Sequence, residues 1–185
     1  YSSSLYDTFI SQWPSSVSGS WIFGLDASGY PMFMVSDYSS SARLMTATTD
    51  VTDGNWHHLA VTRSGSVYRL FVDGTQEATV TNSTYTVGRD NTRVYINAYD
   101  AQKSRGADGF QSNHRFVSGT ALYTSNFTPP TTALTAVTGT LLLTANSSRF
   151  LDKSSNGFTM TATGNPKISR FSPFANEKPY DITTD

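Results

Sequence analysis

Residues 53–75 read DGNWHHLAVTRSGSVYRLFVDGT, and no other stretch narrows the fold as far. In HHLAVTRS a period of two puts Leu59 and Val61 on one face and His58, Ala60 and Thr62 on the other. In VYRLFVDG, Tyr68, Leu70 and Val72 share a face opposite Val67, Arg69 and Phe71. The SGS between the two runs supplies a flexible turn, so residues 57–73 are expected to form an antiparallel hairpin. DGN before it and DGT after it are turn chemistry, with Gly54 and Gly74 free to take positive φ. Adjacent histidines on a strand point to opposite faces, so His57 and His58 cannot share one metal unless the strand bulges. Trp56 has the opposite parity to Leu59 and Val61, so either a bulge intervenes or the indole covers the other face. The favoured reading is structural, with His57 and Trp56 packing and bonding where the strand begins.

Similar short runs recur along the chain, separated by Gly, Asn, Asp and Pro: SWIFGLD, YPMFMVSD, ARLMTATT, EATVT, RVYINAY, GFQSNHRFV, GTLLLTA and FTMTAT. No segment sustains apolar spacing at three and four residues, and Thr, Ser, Val, Tyr and Phe abound where Glu and Lys are scarce. An all-β chain without a long helix is the expectation. Residues 122–137, LYTSNFTPPTTALTAV, carry Pro129 and Pro130, which cannot donate to a ladder, and read as a long surface crossover between sheets. One domain over residues 1–174 is expected, with 175–185 as a linker or strap.

A formal net charge of -1 with mixed signs leaves no basic stripe for nucleic acid. No apolar run approaches the roughly 20 residues that span a bilayer, so membrane insertion is not expected. The chain has no cysteine, which removes disulfides, thiolate zinc sites and a cysteine nucleophile together.

The hairpin resembles the laminin G-like branch of the concanavalin A-like lectin and glucanase superfamily, where W-H-x-hydrophobic-x-hydrophobic opens one strand and hydrophobic-x-V-D-G ends the next; Trp56, His57, Leu59, Val61, Val72, Asp73 and Gly74 fall on that motif. Residues 109–174, with RFVSGTALYTSNFTPPT and LLLTANSSRFLDKS, are similar to the second half of laminin G-like modules of marine phage structural proteins. The resemblance implies a concanavalin A-like jelly-roll sandwich of two antiparallel sheets. The strand pair around Y-F-D-G-x-G-D-Y that opens such modules is missing, which implies a sandwich lacking its N-terminal strands and a piece of a longer protein. Gln111 and His114 also depart from the family pattern.

Glycosidases on this fold need paired carboxylates of the E-x-D-x-x-E kind, and neither Glu77 nor Glu177 has that neighbourhood. There is no G-x-S-x-G, H-E-x-x-H or phosphate-cradling glycine loop, so no enzyme is expected. Asp50, Asp53, Asp73, Asp90, Asp100 and Asp108 sit in turn-like contexts; Asp73 and Asp108 are candidates for calcium, although turn formation is the favoured role. Sugar binding needs aromatic faces flanked by hydrogen-bonding side chains. Residues 88–114 hold that mixture, and Tyr95, Asn97, Tyr99, Asp100, Arg105 and His114 are the candidate ligand-binding residues. Ordinary cross-strand pairing of the tyrosines is the competing account. Asn82, Asn126 and Asn146 match glycosylation acceptors that a phage or bacterial host leaves unmodified.

These readings lead to three functions. The first is a non-catalytic virion surface protein, a phage tail fibre or capsid decoration, adhering to host-surface glycans and contacting other virion proteins or copies of itself. The second is a purely architectural virion subunit whose sandwich a neighbour completes. The third is a carbohydrate-binding accessory module of a secreted bacterial protein, which places the chain outside the cell.

Overall fold

A computed structural model of the chain describes residues 6–13, 19–36, 41–85, 87–88, 93–99, 105–147, 149–169 and 171–174. Among them the chain forms ten strands: β1 (Tyr6–Gln12), β2 (Trp21–Asp26), β3 (Pro31–Ser36), β4 (Ser41–Thr46), β5 (Leu59–Ser64), β6 (Val67–Val72), β7 (Thr75–Thr81), β8 (Tyr95–Ile96), β9 (His114–Val117) and β10 (Thr140–Thr144). Every strand pairing is antiparallel, and no helix occurs among the described residues. The fold is all-β, as the sequence predicts.

The chain forms two compact units, residues 1–109 with 122–129 and residues 110–121 with 130–185. In the first, a five-stranded sheet of order β4-β3-β2-β1-β8 accompanies a three-stranded sheet of order β5-β6-β7. Phe33 of β3 meets Tyr68 of β6 across them, with ring centroids 6.1 Å apart. Tyr68, Leu70 and Val72, the face that period-two alternation groups together, are all buried. Burying each such side chain stabilises the sandwich by roughly 1.5–3 kcal/mol. Trp21, Ile22, Met32, Phe33 and Val35 complete the centre of this core. In the second unit β9 and β10 form a two-stranded ladder that buries Leu142 and Leu143.

The expected hairpin is present. Ser64 pairs with Val67 across a two-residue turn in which Gly65 takes φ 61. Val72 pairs with Thr75 across Asp73 and Gly74, at φ 49 and 80, the two positive values that a type I′ turn demands and that Asp-Gly supplies at little cost. Thus β5, β6 and β7 form a meander whose turns are written in the sequence.

The other face of β6 carries Phe71, which is also fully buried. Residues 122–129 cover it: Tyr123 and Phe127 stack on each other at 3.6 Å and 6°, and both present themselves edge-on to Phe71, at 6.3 and 5.4 Å. The Phe127 N–H donates to the Gly74 carbonyl at 2.9 Å. The segment expected to be a surface crossover therefore holds its first half tightly on the three-stranded sheet.

Three expectations need correction. FTMTAT, residues 158–163, is not a strand; the Phe158 N–H is taken by Asp152 Oδ2, and the run lies mostly exposed with no ladder partner among the described residues. RVYINAY gives only the two residues of β8, because Asn97 turns to φ 55 and ends the alternation. Strand β1 was not among the expected runs, since the buried Thr8 and Ser11 disguise it as polar. Residues 175–185, expected to be a linker or strap, lie outside the described residues.

Candidate functional site

The histidine pair does two unrelated things. His57 Nδ1 lies 2.7 Å from Asp73 Oδ2 and its Nε2 lies 3.0 Å from Asp53 Oδ1. Two carboxylate partners favour the doubly protonated ring. Burial pulls the His57 pKa down, but the hydrogen bonds and charges of Asp73 and Asp53 outweigh it and the net shift is upward. Asp53 is in turn held at about 2, chiefly by the side chain and N–H of Asn55 and then by His57. The second oxygen of Asp73 accepts the His58 N–H at 2.8 Å. The His58 ring instead packs edge-on against Phe127 and Tyr123, at 5.4 and 6.2 Å. This stretch is scaffold: the His57 side chain clamps the 53–55 turn to the β6–β7 turn.

Of the candidates between residues 88 and 114, the structure gathers Asn97, Tyr99 and Arg105 beside the end of β1. The Asn97 N–H donates to the Phe9 carbonyl at 2.8 Å, and the Ser11 hydroxyl reaches the carbonyls of Ala98 and Tyr99 at 2.9 and 2.8 Å. The Tyr99 ring lies 5.8 Å from Trp13, and the Arg105 guanidinium sits 5.3 Å over it, a cation–π arrangement. Arg105 holds φ 60, while its carbonyl accepts the Thr8 N–H at 2.7 Å. Tyr95 is half-buried in β8, paired with Ser11, and Asn97 is exposed. Asp100 lies outside the described residues. His114 belongs to the second unit, on β9, where burial lowers its pKa to about 4 and Nε2 is closed to solvent without a partner among the described residues. It is a neutral packing group at pH 7.

The carboxylates with most partners are structural. Glu77 Oε2 accepts the Thr48 and Thr49 N–H groups at 2.7 and 2.9 Å, and Oε1 accepts the Thr49 hydroxyl. Burial opposes its ionisation, but these bonds prevail and lower its pKa. Asp152 Oδ1 accepts from the N–H groups of Leu143 and Ser154, at 3.0 and 2.9 Å, and Oδ2 accepts from the Ser154 hydroxyl and the Phe158 N–H, both at 2.9 Å. Both carboxylates are thus engaged by hydrogen-bond donors. Of the two aspartates expected as calcium candidates, Asp73 turns both carboxylate oxygens toward His57 Nδ1 and the His58 N–H, and no group of three acidic or histidine side chains forms among the described residues.

One surface feature was not anticipated. On the face of β6 and β7 that carries Phe71, beyond the Tyr123–Phe127 stack, a shallow groove opens between Arg69, Gln76 and Thr79 on one side and Thr124, Ser125 and Asn126 on the other. Strand parity put Arg69 on this face, but nothing along the chain showed which residues would wall it in.

The fold and these groups define an antiparallel β-sandwich module whose best-partnered carboxylates are structural. Residues 2–122 match the laminin G-type family model of the concanavalin A-like lectin/glucanases superfamily, and the chain belongs to that family. No curated protein matches it significantly. Among solved structures it is similar to an S-layer domain-containing protein from Clostridium thermocellum, with 16% identity and a TM-score of 0.25 over 69% of this chain and 62% of that one. The chain thus spans less than two thirds of that structure.

Proposed function

We propose that the chain is a non-catalytic, lectin-like module of a virion surface protein, a phage tail fibre or capsid decoration, that adheres to host-surface glycans. The observation that carries adhesion is the grouping of Tyr99, Arg105 and Asn97 beside Trp13. Aromatic rings grouped with a guanidinium and an exposed asparagine supply the mixture of apolar surface and hydrogen-bonding groups that sugars engage. The structural commitment of Glu77 and Asp152 supports a binding role over a hydrolytic one. The virion setting is supported by the likeness of RFVSGTALYTSNFTPPT to phage structural modules. The test is a glycan array and host-cell binding assay on the purified chain, with immunogold labelling of particles. Binding that Tyr99→Ala abolishes while the chain stays folded is the expected result. No signal on any glycan or cell removes the adhesive role.

A second reading, a purely architectural subunit, is favoured by the second unit's surface. Phe110 and Phe171 pack on each other at 5.0 Å yet remain 59% and 55% exposed, and Phe158 is 57% exposed. Apolar groups left open in this way mark contact surfaces. Light scattering discriminates: a stable monomer at high concentration counts against this reading, and an assembly broken by Phe171→Ser supports it.

A further inference from the structure

The polar groove on the three-stranded sheet has the chemistry of an anion-selective sugar subsite. Its base is Arg69, paired across the sheet with Thr62 and Thr79. Arg69 Nη1 is closed to solvent and meets no acceptor among the described residues, and no carboxylate lines the groove. A guanidinium with one nitrogen desolvated and unsatisfied leaves its delocalised charge uncompensated, which strengthens attraction for any anion reaching its open edge. Arginine's planar fork suits a carboxylate in particular.

The opposite wall comes from the Tyr123-Thr124-Ser125-Asn126-Phe127 segment. Because Tyr123 and Phe127 stack face to face, the three polar residues between them must arch outward. That arch is pinned at both ends: Thr62 donates its hydroxyl to the Tyr123 carbonyl at 2.8 Å, and the Phe127 N–H holds Gly74. Asn126 Oδ1 accepts the Gln76 N–H at 2.8 Å, which leaves its amide nitrogen to donate elsewhere. The groove is therefore preorganised, hydroxyl- and amide-lined, and basic at its base. An open trough of this composition matches a saccharide, with many hydroxyls and one negative charge, better than an apolar ligand.

We infer that this groove binds an acidic sugar residue, a uronate whose carboxylate pairs with Arg69 and whose hydroxyls meet Ser125, Asn126 and Gln76. The inference rests on the glycan-binding reading above but assigns a separate subsite and a charge class. The experiment titrates the chain with oligogalacturonate and with a neutral oligogalactoside, and repeats both with Arg69→Gln and Ser125→Glu. Ser125 is exposed, so its substitution adds a repelling charge without touching the core. Expected is a preference for oligogalacturonate that each variant reduces tenfold or more at unchanged melting temperature, and that Tyr99→Ala does not erase. If both variants bind oligogalacturonate like the parent, this subsite is wrong while the adhesive reading stands. Neutral oligosaccharide bound as well as the acidic one refutes the charge class. No binding to any glycan on the array overturns the adhesive reading and this inference together.

Discussion

His57 Nδ1 stands 2.7 Å from Asp73 Oδ2, and the other oxygen of that carboxylate holds the His58 N–H at 2.8 Å, so one aspartate in the left-handed region fastens the start of β5 to the β6–β7 turn. The clamp has a definite pH signature. A pKa raised by folding means that the folded chain holds the His57 proton more tightly than the unfolded one. Its contribution is complete below the ordinary histidine value of 6.5 and is lost as pH rises through the folded value. Asp53 works with the opposite sign, contributing above its ordinary 3.8 and losing that contribution as pH falls toward about 2. The stability difference between the parent and His57→Gln is therefore expected to be largest below pH 6.5 and to shrink as pH rises above it. Urea unfolding of both proteins at a series of pH values checks this, and a difference that grows with pH contradicts the clamp.

His114 titrates the other way. Its pKa falls to about 4 on burial, so between 4 and 6.5 the unfolded chain binds the proton that the folded chain refuses. Stability should thus decline as pH drops through that window, by roughly 3 kcal/mol. Replacement by Leu removes both the charge penalty and the unpartnered Nε2. His114→Leu is expected to be near neutral at pH 7 and clearly stabilising at pH 4.5, read by thermal melts at both values. NMR titration of the parent should place His57 above 6.5 and His114 well below it.

Gly74 and Gly54 have similar φ values, 80 and 87, but only one meets an obstacle. A Cβ at Gly74 would collide with the Phe127 carbonyl oxygen, whereas at Gly54 it would enter open space. Gly54→Ala should cost only the left-handed backbone penalty, about 1 kcal/mol. Gly74→Ala should cost about 3 kcal/mol or more, because the 122–129 segment must also lift from the hairpin. Hydrogen exchange at the Phe127 amide should accelerate in the second variant alone.

Parity along the chain was enough to place the hairpin, to separate the two histidines and to group Tyr68, Leu70 and Val72 on the core face. It failed where partners come from far away in sequence. Ser11 and Thr8 are polar by type, yet each is buried; the Ser11 hydroxyl reaches Ala98 and Tyr99, and the Thr8 N–H reaches Arg105. FTMTAT alternates like a strand but finds no neighbour among the described residues to complete a ladder, and alternation without a partner stabilises nothing. The groove shows the same limit. Arg69 and Phe71 share a face on any reading, but that Tyr123 and Phe127 would cover the phenylalanine and stop short of the arginine is a tertiary fact.

Asp152 explains why FLDKSSNGF is written as it is. Its carboxylate gathers three backbone N–H groups and the Ser154 hydroxyl, tying the turn after β10 back onto that strand. Burial alone would raise its pKa, and these four bonds overcome that and lower it. The contribution is therefore present above the ordinary carboxylate range and lost on acidification below it. In Asp152→Asn the side chain keeps its shape but exchanges one acceptor oxygen for an NH2 facing donors, so it should destabilise almost as much as Asp152→Ala, by about 2–4 kcal/mol. Urea unfolding gives the magnitude. Amide exchange gives the location, with Leu143, Ser154 and Phe158 losing protection first. If Asn proves neutral while Ala is costly, side-chain volume and not the set of acceptors is what holds this turn.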